Sequence, residues 1–420
     1  MRLDWSALGT AIAARKLADW VLTSRRRQRL TLHLLAGRER WRADEGETLR
    51  VLVRRDLAAG RGTGVVEVHA QTGDAGTVLD HAVALAEASV GPPWTTPPAA
   101  APARVALLDE ALVGSLEDAL AGLRRALADA SAAVGLELAD ATLRVAREEI
   151  TLRSALGFQL SWSQSSYELV AELKRDLAVT TVRRRARRLA ELEVASAVQA
   201  AARAVGRAEA RSAVGRSVVL ELGVEAMLVD DAHGIWAAIA ALGDPGAVAR
   251  GLARARGAEL ARPTDAPLTV WSDGTLPYGT LSAPLGDEGE AVRRFPLVVD
   301  GRVGEAGAGA EDAARLGVAP NGGVRNLVVN AGAGDSARDR GAQLLEVVRL
   351  RWLTLDALRG TAEGELLLAH DRDTRAPLRG GTFVVDLAAV LADARRAPDQ
   401  VRRGAYLGPS WVRLGPLTLR

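Results

Sequence analysis

The alternation of hydrophobic and polar residues divides the first third of the chain into helices and short strands. Apolar residues at helical spacing predict helices over residues 6–24, 74–90 and 115–134. Partly alternating runs predict strands over residues 29–35, 50–54 and 64–69. Residues 91–103, GPPWTTPPAAAPA, have no periodicity and are rich in Pro and Ala, which predicts a linker at a domain boundary. A packed Trp94 would hold this linker against the fold.

The remaining pattern is dominated by strands. In residues 136–176 we expect three or four strands, with turns at SALG (154–157) and SQSS (163–166). The next predicted elements are a helix over 182–207, a strand over 217–222, a helix that includes 227–236, and mainly strands from about residue 267.

Helices and strands are segregated along the chain rather than alternating, which indicates an α+β fold. We therefore expect a small N-terminal α+β domain followed by a larger strand-rich C-terminal domain. The predicted divisions are 1–90, the linker 91–103, a middle region of long helices and a β-hairpin block over 104–215, and 216–420.

Composition and charge narrow the functional classes. The chain has 420 residues, of which 48% are hydrophobic and 25% charged, as in globular proteins that bury large cores. Its 54 basic and 52 acidic residues nearly cancel, so charge does not favour a nucleic-acid partner. The absence of cysteine excludes disulfides, thiolate nucleophiles and Cys-ligated metals. No secretion signal and no run of 18 apolar residues is apparent, so we expect a cytoplasmic protein without membrane contact.

One short segment carries candidate chemistry. Residues 227–236, MLVDDAHGIW, place Asp230 and Asp231 close to His233. Two carboxylates with a nearby imidazole are typical of a metallohydrolase helix. One hypothesis is therefore a self-sufficient hydrolase that uses these three side chains.

Other clusters have simpler structural interpretations. The serines and Tyr of 161–167 lack the Gly-x-Ser-x-Gly context of a nucleophile, so we interpret them as one polar face of a strand. The basic runs 24–29 and 182–193 lack interleaved aromatics, and we interpret the second as a solvated helix face balanced by its own glutamates. The acidic turn 286–290 is more typical of a solvent-facing turn than of a cation site. The Gly-rich segment 330–341 lacks a phosphate-binding pattern.

Several short motifs occur in an order that resembles the TldD/PmbA family over roughly the last 270 residues. LRSALGFQLSWSQSSYEL resembles the family's Asn-Ser-x-Gly turn, with Ser154 and Gly157 in register and Arg153 where Asn is usual. The segments NLVVNAG, APLRGGTFVVDLAAVLADA and GPSWVRLGPLTL are similar to later family strands. Two further turns match, and their residues are Asp287, Glu288, Gly289 and Gly360.

The resemblance implies that residues 227–236 occupy the place of the family's metal-binding motif. In this family a zinc metalloprotease subunit, TldD, pairs with a metal-free homologue, TldE or PmbA. The metal-bearing subunit has His-Glu-x-x-x-His after a VVL strand and a later Cys ligand. Here the first His position falls on or near Val229 and the Glu on or near Asp230, and His233 is displaced by about one residue from the second.

We therefore expect no catalytic and no metal-binding residue in this chain. Asp230, Asp231 and His233 would mark a degenerate metal site, and zinc would be held by a TldD-like partner in a heterodimer. The expected role is to shape the cavity and to hold an unfolded or leader peptide. Two alternatives stay open: the self-sufficient hydrolase, and a binding or scaffold protein without a proteolytic partner.

Overall fold

The structure is a computed structural model of the chain. It describes residues 3–35, 37–71, 73–205, 210–228, 233–261, 266–334, 343–356 and 360–420. The α-helices are α1 Trp5–Ala14, α2 Ala75–Ala88, α3 Ala111–Gly114, α4 Leu116–Ala133, α5 Val194–Ala204, α6 Val224–Met227, α7 Ala237–Leu242, α8 Pro245–Ala249, α9 Ala310–Leu316 and α10 Leu387–Asp393. Short 3-10 helices cover Leu189–Leu192 and Gly234–Trp236.

The strands fall into three sheets. Those of the first sheet are β1 Asp19–Leu35, β2 Arg38–Leu57, β3 Gly60–His69, β4 Val90–Gly91, β5 Glu137–Ser154, β6 Gln159–Arg175 and β7 Ala178–Ala186. The other strands in the first part of the C-terminal half are β8 Arg211–Ser212, β9 Ser217–Gly223, β10 Val270–Asp273, β11 Arg294–Val299, β12 Arg302–Val303 and β13 Asn326–Val329. The last strands are β14 Gln343–Asp356, β15 Thr361–Asp371, β16 Pro377–Arg379, β17 Thr382–Asp386, β18 Arg395–Arg396, β19 Gln400–Arg403, β20 Tyr406–Pro409 and β21 Trp411–Thr418.

The first sheet is antiparallel and has the strand order β4-β3-β2-β1-β5-β6-β7. Alternate residues of a strand point to the same face, so Leu22, Leu30 and Leu32 of β1 share one side of this sheet. Leu22 packs in a core with α1 and α2, whereas Leu30 and Leu32 pack in a second core with α4 and α5. Two helix pairs therefore cover one face of the same sheet.

The C-terminal half contains two sheets that share a core. Their orders are β12-β11-β10-β13-β20-β19 and β18-β21-β9-β14-β15-β16-β8, with β17 paired to β15. Apolar side chains of both sheets, such as Leu220 of β9 and Leu297 of β11, meet in the largest buried cluster. Trp236 is fully buried in this cluster and stacks on Tyr406 at 6.0 Å between ring centroids.

The chain has the α+β class that its sequence predicts. Helices α2 and α4 match their predicted ranges within a few residues, and each begins at a side-chain cap, Asp74 or Ser115. Strand β9 and the many strands after residue 267 also confirm the pattern. Among the described residues, none of the helices is both long and apolar enough to cross a membrane.

The prediction of one helix over 6–24 is wrong in its second half. Helix α1 ends at Ala14, and Lys16 has a φ of 50°, which ends the helical path. Residues from Asp19 onward pair with β2, and those from Val21 onward also pair with β5. Because both partners lie far away in the sequence, the local spacing gave no sign of this strand.

Two predictions in the middle region are also corrected. The expected turn at 163–166 lies inside β6, which pairs without interruption there with residues 146–149 of β5. The block 136–176 is therefore two long strands joined by one turn. The helix predicted over 182–207 is split into the end of β7, a 3-10 turn and α5, because Glu193 has a φ of 44° and residues 178–186 pair with β6.

Residues 91–103 lie along the fold and connect parts of one sheet. Trp94 has only 9% of its surface exposed, and the guanidinium groups of Arg54 and Arg61 lie over its ring, 5.2 and 4.8 Å from the ring centroid. The amide of Ala103 donates to the carbonyl of Pro284 at 2.9 Å. Since β1 pairs with β5, strands from both sides of the segment form the same sheet. The division into separately folding domains stays a prediction.

Candidate functional site

The position predicted to be a degenerate metal site follows strand β9. The strand carries its buried apolar residues into the C-terminal core and leads into the short helix α6, which ends at Met227. Asp230 and Asp231 lie outside the described residues. His233 is described, and its Nε2 is 2.8 Å from the carbonyl oxygen of Arg325, so this nitrogen donates a proton there.

The predicted helix over 227–236 is not continuous. Gly234 has a φ of 53°, and a Cβ at this position would lie 1.9 Å from the carbonyl oxygen of Met227. Gly234 therefore packs against the end of α6, and Gly234–Trp236 forms a 3-10 turn. Within the described part of the chain, no group of three His, Asp or Glu residues could hold a metal ion. That a partner chain holds the zinc stays a prediction.

A groove runs along strand β7 and passes Leu228, the last described residue before this position. It consists of two adjoining cavities of about 320 and 160 Å³, and Leu228 lines both. We call it the β7 groove and define it by β7 residues Thr180–Arg185 on one side and by Glu225, Leu228 and Arg403 on the other. The N-terminal sheet and the C-terminal half therefore meet across it.

The walls of the β7 groove are strongly charged. Among the described residues, five arginines and three glutamates line it: Arg183, Arg184, Arg185, Arg349, Arg403, Glu168, Glu191 and Glu225. Each of the three carboxylates forms an ion pair with arginine. Glu168 pairs with Arg144 at 2.8 Å and Glu191 with Arg402 at 3.6 Å, whereas Glu225 contacts both Arg184 and Arg403. Burial raises the pKa of Glu191 above its usual value.

Arg187 fixes the end of β7 beside the groove. Its guanidinium is buried and donates to the carbonyl oxygens of Gly279, Thr280 and Ser282 at 2.8, 3.1 and 3.1 Å. Burial lowers its pKa to about 10, so it stays protonated at neutral pH. The nearby hydroxyl of Ser165 is also buried and donates to the carbonyl of Arg187 at 2.7 Å. Ser165 thus contributes to packing rather than to chemistry.

Two of the predicted turns lie against each other. Ser154 and Gly157 form the β5–β6 turn, in which the amide of Gly157 donates to the carbonyl of Ser154 at 3.1 Å and Gly157 has a φ of 83°. Gly289 lies at the centre of the second turn, also with a φ of 83°. A Cβ on Gly289 would lie 3.1 Å from the ring of Phe158. The close approach therefore favours glycine at this contact.

The acidic turn is used for contacts between the two halves. Arg50 donates to the carbonyl of Asp287 at 2.8 Å, and the carboxylate of Glu288 pairs with Arg54 at 2.9 Å. Glu290 is 6% exposed and accepts a hydrogen bond from the amide of Glu288 at 2.9 Å. Burial raises the pKa of Glu290 to about 7. Glu288 is therefore paired and Glu290 buried, whereas Asp287 is exposed, as expected of a solvent-facing turn.

The remaining predicted residues lie elsewhere. Gly360 has a φ of 66° and precedes β15, and the preceding residues 357–359 lie outside the described part. Arg153 lies over the ring of Trp20 at 5.8 Å.

Sequence reasoning missed the groove itself. The basic run 182–193 suggested a solvated helix face, whereas Arg183 and Arg185 belong to an edge strand. The β-branched residues Thr180, Thr181 and Val182 were the available signal for a strand. No local signal connects this run with Arg403, which is more than 200 residues away in the chain.

Comparisons with known proteins give one family match and several similar folds. Residues 236–344 match the family described as PmbA/TldA metallopeptidase C-terminal domain. No curated protein matches the chain by sequence.

Solved structures match the fold over the whole length. TldE from Thermococcus kodakarensis shares 14% identity at a TM-score of 0.76, covering 98% of this chain and 99% of its own. A proposed modulator of a DNA gyrase from Thermotoga maritima shares 14% sequence identity at a TM-score of 0.78, with 99% of both chains covered. A similarly described protein from Bacteroides thetaiotaomicron shares 13% sequence identity at a TM-score of 0.73. The match covers 99% of this chain and 98% of that protein's chain. Residues 236–344 therefore resemble the C-terminal domain of this metallopeptidase family, and the chain has the fold of the three solved structures along its length.

Proposed function

We propose that this chain is the non-catalytic subunit of a two-chain peptidase of the TldD/TldE type. Its partner is a TldD-like chain that carries the zinc, and this chain helps to shape the cavity and to hold an unfolded or leader peptide. Both chains act in the cytoplasm. The fold that the chain shares with TldE from Thermococcus kodakarensis is consistent with this role.

The observation that carries the proposal is the sequence after β9. Catalysis by a zinc-bound water needs protein ligands, an open coordination position and a base. The positions of the first His and the Glu of metal-bearing members fall on or near Val229 and Asp230, and the chain has no Cys. The hydrogen bond from His233 to the carbonyl of Arg325 gives its Nε2 a structural partner instead.

Reconstitution with a TldD-like chain that contains His-Glu-x-x-x-His tests the proposal. We expect the isolated chain to contain no stoichiometric zinc by elemental analysis and to have no peptidase activity. Activity should appear on mixing. The combined change Asp230→Ala, Asp231→Ala and His233→Ala should leave turnover of the mixed complex within about threefold, because these groups have no metal-bound water to act on.

The matched control is the partner with its motif Glu changed to Gln, which should lose activity by a hundredfold or more, the scale typical of a lost general base. Size-exclusion chromatography checks that both complexes assemble. One zinc per isolated chain, lost with His233→Ala, would establish the self-sufficient hydrolase instead. A triple variant that assembles but loses about a thousandfold in turnover would also contradict the proposal.

A further inference from the structure

The acidic turn, residues 286–290, is closed by hydrogen bonds of its own backbone. The amide of Gly286 donates to the carbonyl of Glu290 at 2.9 Å, and the amide of Gly289 donates to the carbonyl of Gly286 at 3.0 Å. Because these bonds lie within the turn, they stay intact when the turn moves as one unit.

The acidic turn lies on a small apolar cluster of the N-terminal sheet. Its members are Val21, Leu52 and Leu152, with Phe158 and Trp162 packed against them. This cluster is separate from the two larger cores of the same sheet. A Cβ on Gly289 would be 3.1 Å from the ring of Phe158 and 3.9 Å from the side chain of Leu152. Lifting of the turn therefore uncovers the small cluster and leaves the larger cores intact.

The carboxyl group of Glu290 is buried inside the acidic turn. It accepts a hydrogen bond from the amide of Glu288 at 2.9 Å. Among the described residues, no basic side chain forms an ion pair with Glu290. Arg325, whose charge acts on this carboxyl, donates instead to the carbonyl oxygens of Gly322 and Leu281 at 2.8 and 3.3 Å. A negative charge on Glu290 is therefore poorly compensated while the turn is seated.

The charged groups around Glu290 belong to four parts of the chain. They come from its own turn, from β2, from α9 and from the segment before β13, and they are Asp287, Glu288, Arg50, Arg54, Glu311 and Arg325. Arg50 donates to the carbonyl of Asp287 at 2.8 Å. Arg54 is shared by Glu288 and Asp19 at 2.9 and 3.1 Å, and Glu311 forms an ion pair with Arg315. These cations therefore bind other oxygens, and the carboxylate of Glu288 opposes ionisation of Glu290.

We infer that the acidic turn is a pH-dependent latch between the N-terminal sheet and the C-terminal half, seated while Glu290 is protonated and released more readily once Glu290 is ionised. An ionised carboxyl group needs water or a cation, and lifting of the turn brings Glu290 to water. The same movement breaks the contacts of Arg50 and Arg54 with the turn, so it loosens the junction of the two halves. Burial raises the pKa of Glu290 to about 7, which places this change near neutral pH. The inference is independent of the proposed function, because it concerns contacts within this chain.

Thiol labelling of an introduced cysteine measures the opening of the latch, since the chain itself has no cysteine. Leu152→Cys places the thiol in the buried cluster under Gly289, where a reagent reaches it only after the turn has lifted. At each pH its labelling rate is divided by that of the same variant carrying Glu290→Gln, which cancels the pH dependence of the thiol itself. This ratio should rise roughly fiftyfold from pH 5 to pH 8, because the seated turn keeps a proton that the lifted turn releases.

Two controls distinguish opening of the latch from unfolding of the sheet. Leu143→Cys lies on the same strand, β5, but in one of the larger cores, so its thiol should be labelled at least tenfold more slowly at every pH. Glu149→Gln removes an exposed carboxyl group of β5 and should leave the rise unchanged. Val21→Cys, in the small cluster, repeats the measurement if Leu152→Cys does not fold. A ratio that stays constant from pH 5 to pH 8, or equal labelling rates in the small cluster and the larger core, would overturn the inference.

Discussion

The carboxyl group of Glu290 lies inside the protein at the contact between the two halves of the chain. Burial raises its pKa from 4.5 to about 7, with a smaller contribution from the charge of Glu288, whereas Arg325 acts in the opposite direction. Gly286 leaves room for this side chain, because a Cβ there would lie 1.8 Å from a carboxyl oxygen of Glu290. The group therefore changes its protonation state near neutral pH at a position that links the sheet to the C-terminal half.

We expect stability to fall with pH because of Glu290. Between pH 4.5 and about 7 the folded chain keeps a proton that the unfolded chain has released. The free energy of unfolding therefore falls across this window, by about 3 kcal/mol in total, and then becomes level. Glu290→Gln has no charge to bury, so its stability relative to the unchanged chain should rise from pH 5 to pH 8 by about that amount.

Chemical denaturation at pH 5, 6, 7 and 8 measures this difference. Glu149→Gln, at an exposed position of β5, is the control and should follow the unchanged chain at every pH. Stability curves for Glu290→Gln and the unchanged chain that run parallel from pH 5 to 8 would contradict the assignment.

At the scale of single elements, the end of β7 depends on one buried cation. Arg187 is followed directly by the exposed Arg188, which lies 4.8 Å from the ring centroid of Tyr278. Both side chains therefore contact the loop after β10, but only Arg187 makes several buried hydrogen bonds to its carbonyl oxygens. The two neighbouring arginines form a matched pair for measuring what burial contributes.

Arg187→Ala should lower the free energy of unfolding by about 3 kcal/mol, because it leaves several buried carbonyl oxygens without a donor. Arg188→Ala should lower the free energy of unfolding by less than about 1 kcal/mol, since an exposed cation–π contact contributes little to stability. Urea denaturation of both variants checks the difference. Equal losses for the two variants would show that the carbonyl contacts do not hold β7 in place.

At the scale of the whole molecule, the segment 91–103 lies against both halves. Its Trp94 packs against the guanidinium groups of Arg54 on β2 and Arg61 on β3. At the same place, Asp19 of β1 accepts hydrogen bonds from Arg54, Arg61 and Thr96. A Cβ on Gly91 would lie 2.6 Å from the guanidinium of Arg315 on α9. These contacts join the N-terminal sheet to the C-terminal half.

We expect Trp94→Ala to expose residues 91–103 to proteases. Loss of a buried Trp typically costs about 3–5 kcal/mol, and local opening determines cleavage when it equilibrates quickly. Cleavage in this segment should therefore be at least tenfold faster than in the unchanged chain, as followed by mass spectrometry of the fragments. Trp41→Ala, at a position that is 45% exposed on β2, is the control. If the unchanged chain is already cut there first, the segment is a flexible boundary instead.

Much of the local structure could be predicted because its causes are local. The capped amphipathic helices α2 and α4 and the Gly157 turn each depend on residues that are close in sequence. The segregation of helices and strands along the chain also indicated its α+β fold. By contrast, residues 19–24 and 182–186 carry apolar spacing compatible with a helix and form strands only through their distant partners.

The sequence by itself determined the helices with their own caps, the absence of cysteine chemistry and the residues that follow β9. Tertiary structure decided the shared seven-stranded sheet, the burial of Glu290 and Arg187, and the contact of Gly289 with Phe158. It also decided the β7 groove, in which Arg184 of the N-terminal sheet meets Glu225 and Arg403 of the C-terminal half. Helix caps and turns join near neighbours, whereas ladders and buried ion pairs join residues whose proximity exists only once the chain has folded.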